Sequence, residues 1–178
     1  RFLGNMVQTG IKSVEAQYCG EILSMDLKPI TTTFLTGLLT PIMGDDVNLV
    51  NAPMCAEERG ITVSETKVSR SENFTSLLRF KVQTENREHD VEGTLFGKSK
   101  PRMVRYGAFR GEFDLFGELI LIHSYDRPKV IGSIGLTLGE HGINISSFQF
   151  AREQVGGQAL VFLNTDTKAD EGALDALR

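Results

Sequence analysis

The residues best suited to bind a small polar molecule lie in the stretch from Asp126 to Ile145. Asp126 offers a carboxylate that can accept hydrogen bonds from an ammonium group, and Pro128 marks the first turn of a helix. The free N–H groups and the positive dipole end of that turn attract a carboxylate. Asn144, at the start of the next strand, adds an amide donor and acceptor that complete the shell. The stretch could therefore recognise both ends of an amino acid.

A structural role explains the same residues. Asp126 is also a good N-cap for the helix that follows it, and Asn144 is typical of a turn. Spacing alone leaves both interpretations open.

Other motifs in the chain do not indicate catalysis, a nucleotide or a metal. The segment 93–99 has three residues between its glycines, whereas a phosphate-binding loop needs four. Gly132, Gly135 and Gly139 fall inside a helical pattern rather than in a dinucleotide-binding turn. The three histidines lack the spacing of a zinc site, and no nucleophile is placed beside a base. We therefore expect no catalytic residues and no cofactor in the chain itself.

Composition restricts the class of partner. The chain has 178 residues and a net charge of -4, and its isoelectric point is about 5.4. An acidic chain lacks the basic surface that nucleic acids and anionic membranes require. No secretion signal or long apolar run is present, and the two cysteines are interpreted as reduced thiols, so we expect a cytoplasmic protein.

The chain is predicted to be α+β with two domains. Residues 1–115 show helical patterns at 31–39 and 51–59, followed by alternating strands that begin near residues 61, 78, 91 and 102. This pattern predicts helices packed on an antiparallel sheet. Residues 116–178 read as strand, helix, strand, strand and helix, with Pro128 starting the first helix and Gly156–Gly157 forming a hairpin turn. One more strand would complete a ferredoxin-like unit, so we expect the last strand to be missing.

The second half resembles the ACT domain, a regulatory amino-acid-binding module of biosynthetic enzymes. The resemblance rests on the residues 126–132 (DRPKVIG) and 138–145 (LGEHGINI). Further segments extend it to long-form D-3-phosphoglycerate dehydrogenase, in which an intervening domain precedes the ACT domain. These segments are 47–53 (VNLVNAP), 58–61 (ERGI) and 91–94 (VEGT).

The resemblance implies a regulatory part of the enzyme that opens the phosphorylated pathway of serine synthesis. The whole enzyme would oxidise 3-phosphoglycerate with NAD, but the dehydrogenase part has no counterpart in these residues. In that family L-serine binds between the ACT domains of adjacent subunits. The positions that match its site are Ser124, Asp126, Arg127, Pro128 and Asn144.

One residue departs from the family pattern, which usually has glycine after Asp-Arg-Pro, whereas this chain has Lys129. A side chain there could crowd the ligand or add a cation beside its carboxylate. We expect serine sensitivity to depend on this residue.

The resemblance also implies a second ligand, because the intervening domain of the family can bind a phosphorylated acid or phosphate. The basic residues that could hold such an anion are Lys98, Lys100, Arg102, Arg105 and Arg110. A solvated strand face accounts for the same residues.

The sequence thus favours a non-catalytic allosteric fragment that self-associates through its ACT domain and binds L-serine or another small amino acid. Both termini look cut, since Arg1 is not an initiator methionine and the chain stops within a helical pattern. Two alternatives remain. The fragment could be a structural assembly module without an effector, or it could belong to another amino-acid enzyme such as a serine dehydratase.

Overall fold

The computed structural model describes residues 1–7, 10–71, 73–97 and 99–178, which form two compact units, 1–101 and 102–178. The helices are α1 (Phe2–Met6), α2 (Lys28–Met43), α3 (Ala52–Glu58), α4 (Val130–Glu140) and α5 (Glu171–Ala176). The strands of the first unit are β1 (Ile11–Gly20), β2 (Thr62–Val68), β3 (Ser76–Thr84) and β4 (Glu88–Phe96). The remaining strands are β5 (Lys100–Tyr106), β6 (Phe109–Phe113), β7 (Glu118–Tyr125), β8 (Ile145–Arg152) and β9 (Gln158–Thr165). The predicted α+β class is confirmed.

The first unit is built on strands in the order β2-β1-β3-β4. The β3–β4 pair is antiparallel as predicted. Strand β1 also pairs antiparallel with β3, whereas β1 and β2 run parallel, which the predicted antiparallel sheet did not include. Strand β1 lies outside every predicted element, although Val14, Ala16 and Tyr18 alternate along it and are fully buried. These side chains face the helix layer, where the ring of Phe34 stacks on Phe80 at 3.8 Å.

The second unit contains an antiparallel sheet in the order β7-β9-β8, with α4 after β7 and α5 after β9. This is the predicted βαββα part of a ferredoxin-like unit. Ile134 and Leu138 of α4 pack with Val161 and Leu163 of β9 in its core. Ala173 of α5 belongs to the same cluster.

Strand β6 falls in the glycine-rich segment that the sequence suggested was a connection. It pairs antiparallel with β5, most of which also lies in the second unit. Phe113 of β6 stacks on Phe162 of β9 with ring centroids 4.1 Å apart, and Tyr106 meets the same ring edge-on. Strand β9 is consequently buried on both faces. The alternating apolar residues that predicted this strand lie on only one of these faces, the one that packs on the helices.

Helix α4 begins two residues later than Pro128, the predicted start. Its first residue is Val130, because Lys129 adopts a left-handed backbone with φ of 76° that no α-helix can include. The two residues before Val130 form a turn.

Candidate effector site

Asp126 lies directly after β7 and is bonded to the β8–β9 hairpin rather than to α4. Its Oδ2 accepts a hydrogen bond from Nη1 of Arg152 at 2.5 Å and another from the backbone N–H of Gly156 at 3.1 Å. Its own N–H donates to the carbonyl of Gly157 at 2.8 Å. The N-cap role that the sequence left open is therefore not the one that Asp126 performs here.

These contacts stabilise the ionised carboxylate. The backbone N–H of Gly156 and then the Arg152 guanidinium lower the pKa of Asp126 below its ordinary value. Both bonds use Oδ2, and Oδ1 has no hydrogen-bond donor within the described ranges. One carboxylate oxygen thus remains available to an ammonium group.

The neighbours of Asp126 in the predicted site lie around the same turn. Arg127 places its guanidinium carbon 5.2 Å from the centre of the Tyr125 ring, a cation–π contact. Ser124 lies on the helix-facing side of β7, since it shares strand alternation with Ile120 and Ile122 of the core. Pro128 is exposed in the turn before α4.

The backbone conformation at position 129 explains why the family pattern has glycine there. It is the one non-glycine residue with positive φ in the described part of the chain. Glycine adopts this conformation without a steric penalty, whereas a Cβ atom makes it strained. The Lys129 side chain is exposed, so the substitution adds backbone strain and a surface cation at the start of α4.

Asn144 lies far from Asp126. Its amide donates to Oδ2 of Asp166 at 2.6 Å, just beyond the end of β9. In the sheet register Tyr125 is opposite Gln158, whereas Ile145 is opposite Thr165. The seven steps between these two β9 positions span roughly 23 Å. The interpretation that Asn144 completes the shell of Asp126 within one chain is therefore wrong.

Two residues of this site were missed from the sequence, namely Arg152 and Asp166. The positions of both residues follow from the topology. Strands β7 and β8 are each antiparallel to β9, so β7 and β8 end at the same end of the sheet, and β9 ends where β8 begins. A strand order could have placed Arg152 beside Asp126, and Asp166 beside Asn144. Neither residue carries a local sequence signal.

The predicted anion-binding residues are only partly brought together. Lys98 lies outside the described residues. Lys100 is exposed at the first position of β5, and Arg102 pairs with Asp114 at 3.2 Å. Arg105 and Arg110 are directly opposite each other in the β5–β6 pair.

The three glycines of the dinucleotide-like pattern lie within α4, not in a turn that approaches a ligand, so they do not fit NAD. Apart from its chain neighbours and the backbone of the same helix, a Cβ atom at Gly132, Gly135 or Gly139 would meet no atom within 4 Å. Among the described residues, no helix is both long and apolar enough to cross a membrane.

Comparison with known proteins agrees with this two-part architecture. Residues 1–106 match the family described as D-3-phosphoglycerate dehydrogenase intervening domain, and residues 119–178 match the ACT domain. The chain is 32% identical over 180 residues to D-3-phosphoglycerate dehydrogenase of Methanocaldococcus jannaschii, covering 99% of this chain and 34% of that protein. It is 34% identical over 162 residues to the enzyme of that name from Bacillus subtilis, covering 90% and 31% respectively.

The fold and the matched ranges define a chain that joins an intervening domain to an ACT domain. The chain belongs to the D-3-phosphoglycerate dehydrogenase family and corresponds to its regulatory region. It spans about a third of the length of the curated relatives that it matches.

Proposed function

We propose that the chain is an allosteric module of a cytoplasmic D-3-phosphoglycerate dehydrogenase that binds L-serine at sites shared by two copies of its ACT domain. The observation that carries the proposal is the separation of Asp126 and Asn144 by the length of β9. One small amino acid cannot span roughly 23 Å. A ligand that uses both residues must take them from different chains.

The open edge of the sheet supports this arrangement. In the described chain β8 is hydrogen-bonded only to β9, although β6 also packs near it. If β8 of a second copy adds to this edge in antiparallel fashion, the start of one β8 meets the end of the other. Asn144 of the second copy then approaches Arg152, and Arg152 is bonded to Asp126.

The exposed face of α4 supports the same interface. Ile131 and Leu136 are 50% and 64% exposed, and the helical period places them on one face with the three open glycines. Helix α4 directly precedes β8 in the chain. Its small and apolar residues suit close packing against a second copy.

The chemistry of the shared site would follow from its groups. Oδ1 of Asp126 accepts a hydrogen bond from the ammonium group of serine, and the N-terminal turn of α4 attracts the carboxylate of serine. The amide of Asn144 from the second copy is suited to the hydroxyl group. Because each site uses two chains, serine favours the paired arrangement and shifts the whole enzyme by its differential affinity for the two states.

Calorimetric titration of the chain with L-serine tests the proposal, with D-serine as the stereochemical control. We expect saturable heat with L-serine that is lost in Asn144→Ala and retained in Asp45→Asn, an exposed acidic residue of the other unit. No heat with L-serine at millimolar concentration would refute effector binding. Self-association that serine and Asn144→Ala both leave unchanged would indicate a structural assembly module.

The β5–β6 pair favours a second ligand, a phosphorylated acid or phosphate. Arg105 and Arg110 are opposite each other, and guanidinium groups bind phosphate oxygens in a bidentate geometry. One phosphate group could therefore contact both side chains. Titration with inorganic phosphate and 3-phosphoglycerate tests this, and we expect Arg110→Gln to weaken either ligand.

The longer polypeptide that we propose would use NAD to oxidise 3-phosphoglycerate. In that reaction NAD would accept the hydride, and residues outside this chain would hold the cofactor. We expect the chain by itself to be non-catalytic.

A further inference from the structure

A cavity of about 350 Å³ lies in the first unit, where α2, α3 and β2 meet. Its apolar lining includes Leu35, Ile61 and Val63, and the first two are 2% and 7% exposed. This volume falls at the lower end of the range for small-molecule sites. The cavity shares no residue with the ACT domain.

One carboxylate in the wall is held by a chain of hydroxyl groups. The hydroxyl of Thr31 donates a hydrogen bond to Oε1 of Glu65. The Tyr18 hydroxyl lies 2.6 Å from the same Thr31 oxygen and therefore donates to it, because the Thr31 proton is used by Glu65. Tyr18 is fully buried and Thr31 is 6% exposed, so the anchor of Glu65 is rigid.

This arrangement holds an exposed carboxylate in a fixed position. Tyr18 is buried and supports Thr31, which is also buried. Thr31 in turn orients Glu65 in the wall of the cavity. Burial raises the pKa of Tyr18, which keeps its hydroxyl protonated as the donor of the chain. Glu65 itself is exposed on β2 and can meet a ligand.

The charged residues around the apolar lining have both signs. Glu57 of α3 lines the cavity with Glu65, and Lys28 at the start of α2 lines it as well. Two carboxylates attract an ammonium group, and a lysine attracts a carboxylate. A molecule that carries both groups and an apolar side chain satisfies all three features of the lining.

We propose that this cavity binds a free α-amino acid with an aliphatic side chain. Glu65 and Glu57 receive its ammonium group, Lys28 receives its carboxylate, and Leu35, Ile61 and Val63 contact the side chain. The site is separate from the shared serine site and does not rest on it. The chain would then carry a second amino-acid sensor in its intervening domain.

The probe is L-valine, measured by titration calorimetry with the chain saturated with L-serine. Isobutylamine lacks the carboxylate of valine, and isovalerate lacks its ammonium group. We expect valine to bind at least about tenfold more tightly than either analogue, since each loses one charge-assisted contact. Valine that does not bind, or that L-serine displaces, would overturn the proposal.

Variants locate the site. Glu65→Gln keeps the size of the side chain and the bond from Thr31, and we expect it to weaken valine by about tenfold. Glu58→Gln changes the neighbouring exposed acid of α3, which does not line the cavity, and should leave affinity unchanged. Methyl NMR should show valine-induced shifts at Leu35 and Val63. Equal affinity in Glu65→Gln and the wild type, or shifts confined to the ACT domain, would contradict the proposal.

Discussion

Asp126 and Asn144 lie at opposite ends of one three-stranded sheet, separated by the length of β9. Each is held by its own partner, Asp126 by Arg152 and Asn144 by Asp166. The two residues are only 18 positions apart in the chain, but α4 runs the length of the sheet between them. Their use in one site therefore requires a second copy.

Replacing Arg152 should change the ionisation of Asp126. Arg152→Met removes a guanidinium that lowers the pKa of Asp126, so that pKa should rise. The pKa should stay below the ordinary value, because the hydrogen bond from the Gly156 N–H remains and lowers it more than burial raises it. A carboxyl NMR titration measures it, with Arg178→Met as control. An unchanged titration would show that the Arg152 contact does not form in solution.

Lys129→Gly should stabilise the second unit. The left-handed backbone at φ of 76° costs a residue with a Cβ atom about 1 kcal/mol or more, and glycine removes that cost. The expected result is an unfolding free energy higher by about 1 kcal/mol in denaturant melts. Lys129→Ala removes the amine but keeps Cβ, so it should give no such gain. Equal stabilisation by both variants would assign the effect to charge instead of to the backbone.

The first unit should lose stability in mild acid because of His89. Burial, with Arg87 nearby, lowers the pKa of this imidazole below its ordinary 6.5. As the pH falls below 6.5 the unfolded chain binds the proton first, so the free energy of unfolding decreases until the folded-state pKa is passed. His89→Gln should flatten this dependence in urea melts at several pH values. A slope unchanged in His89→Gln would contradict the assignment.

Phe162→Ala should destabilise the second unit strongly. Its ring is 1% exposed and stacks on Phe113, so the cavity left behind costs about 3–5 kcal/mol. Phe116 is 65% exposed, and its replacement by alanine should cost far less. Chemical denaturation followed by far-UV circular dichroism measures both. A small effect at Phe162 would mean that the β5–β6 pair does not cover β9 in solution.

The elements of the second unit could be predicted because hydrophobic period and turn residues coincide there. Strand β6 could not, since its two buried phenylalanines, Phe109 and Phe113, lie among glycines that usually mark a connection. The start of α4 was misplaced because nothing local reveals that Lys129 is left-handed. Asp126 was identified from its position, but its bond to Arg152 depends on strand order.

Subunit complementation tests the central claim most directly. In a dimer with two shared sites, Asp126→Asn and Asn144→Ala each damage both sites, so neither variant alone should bind L-serine. A mixed dimer of the two keeps one intact site. Random co-assembly makes half of the dimers mixed, and each has one of two sites, so calorimetry should recover about a quarter of the wild-type sites. If the mixture binds no more serine than the separate variants while the wild type binds, the sites are not shared between chains.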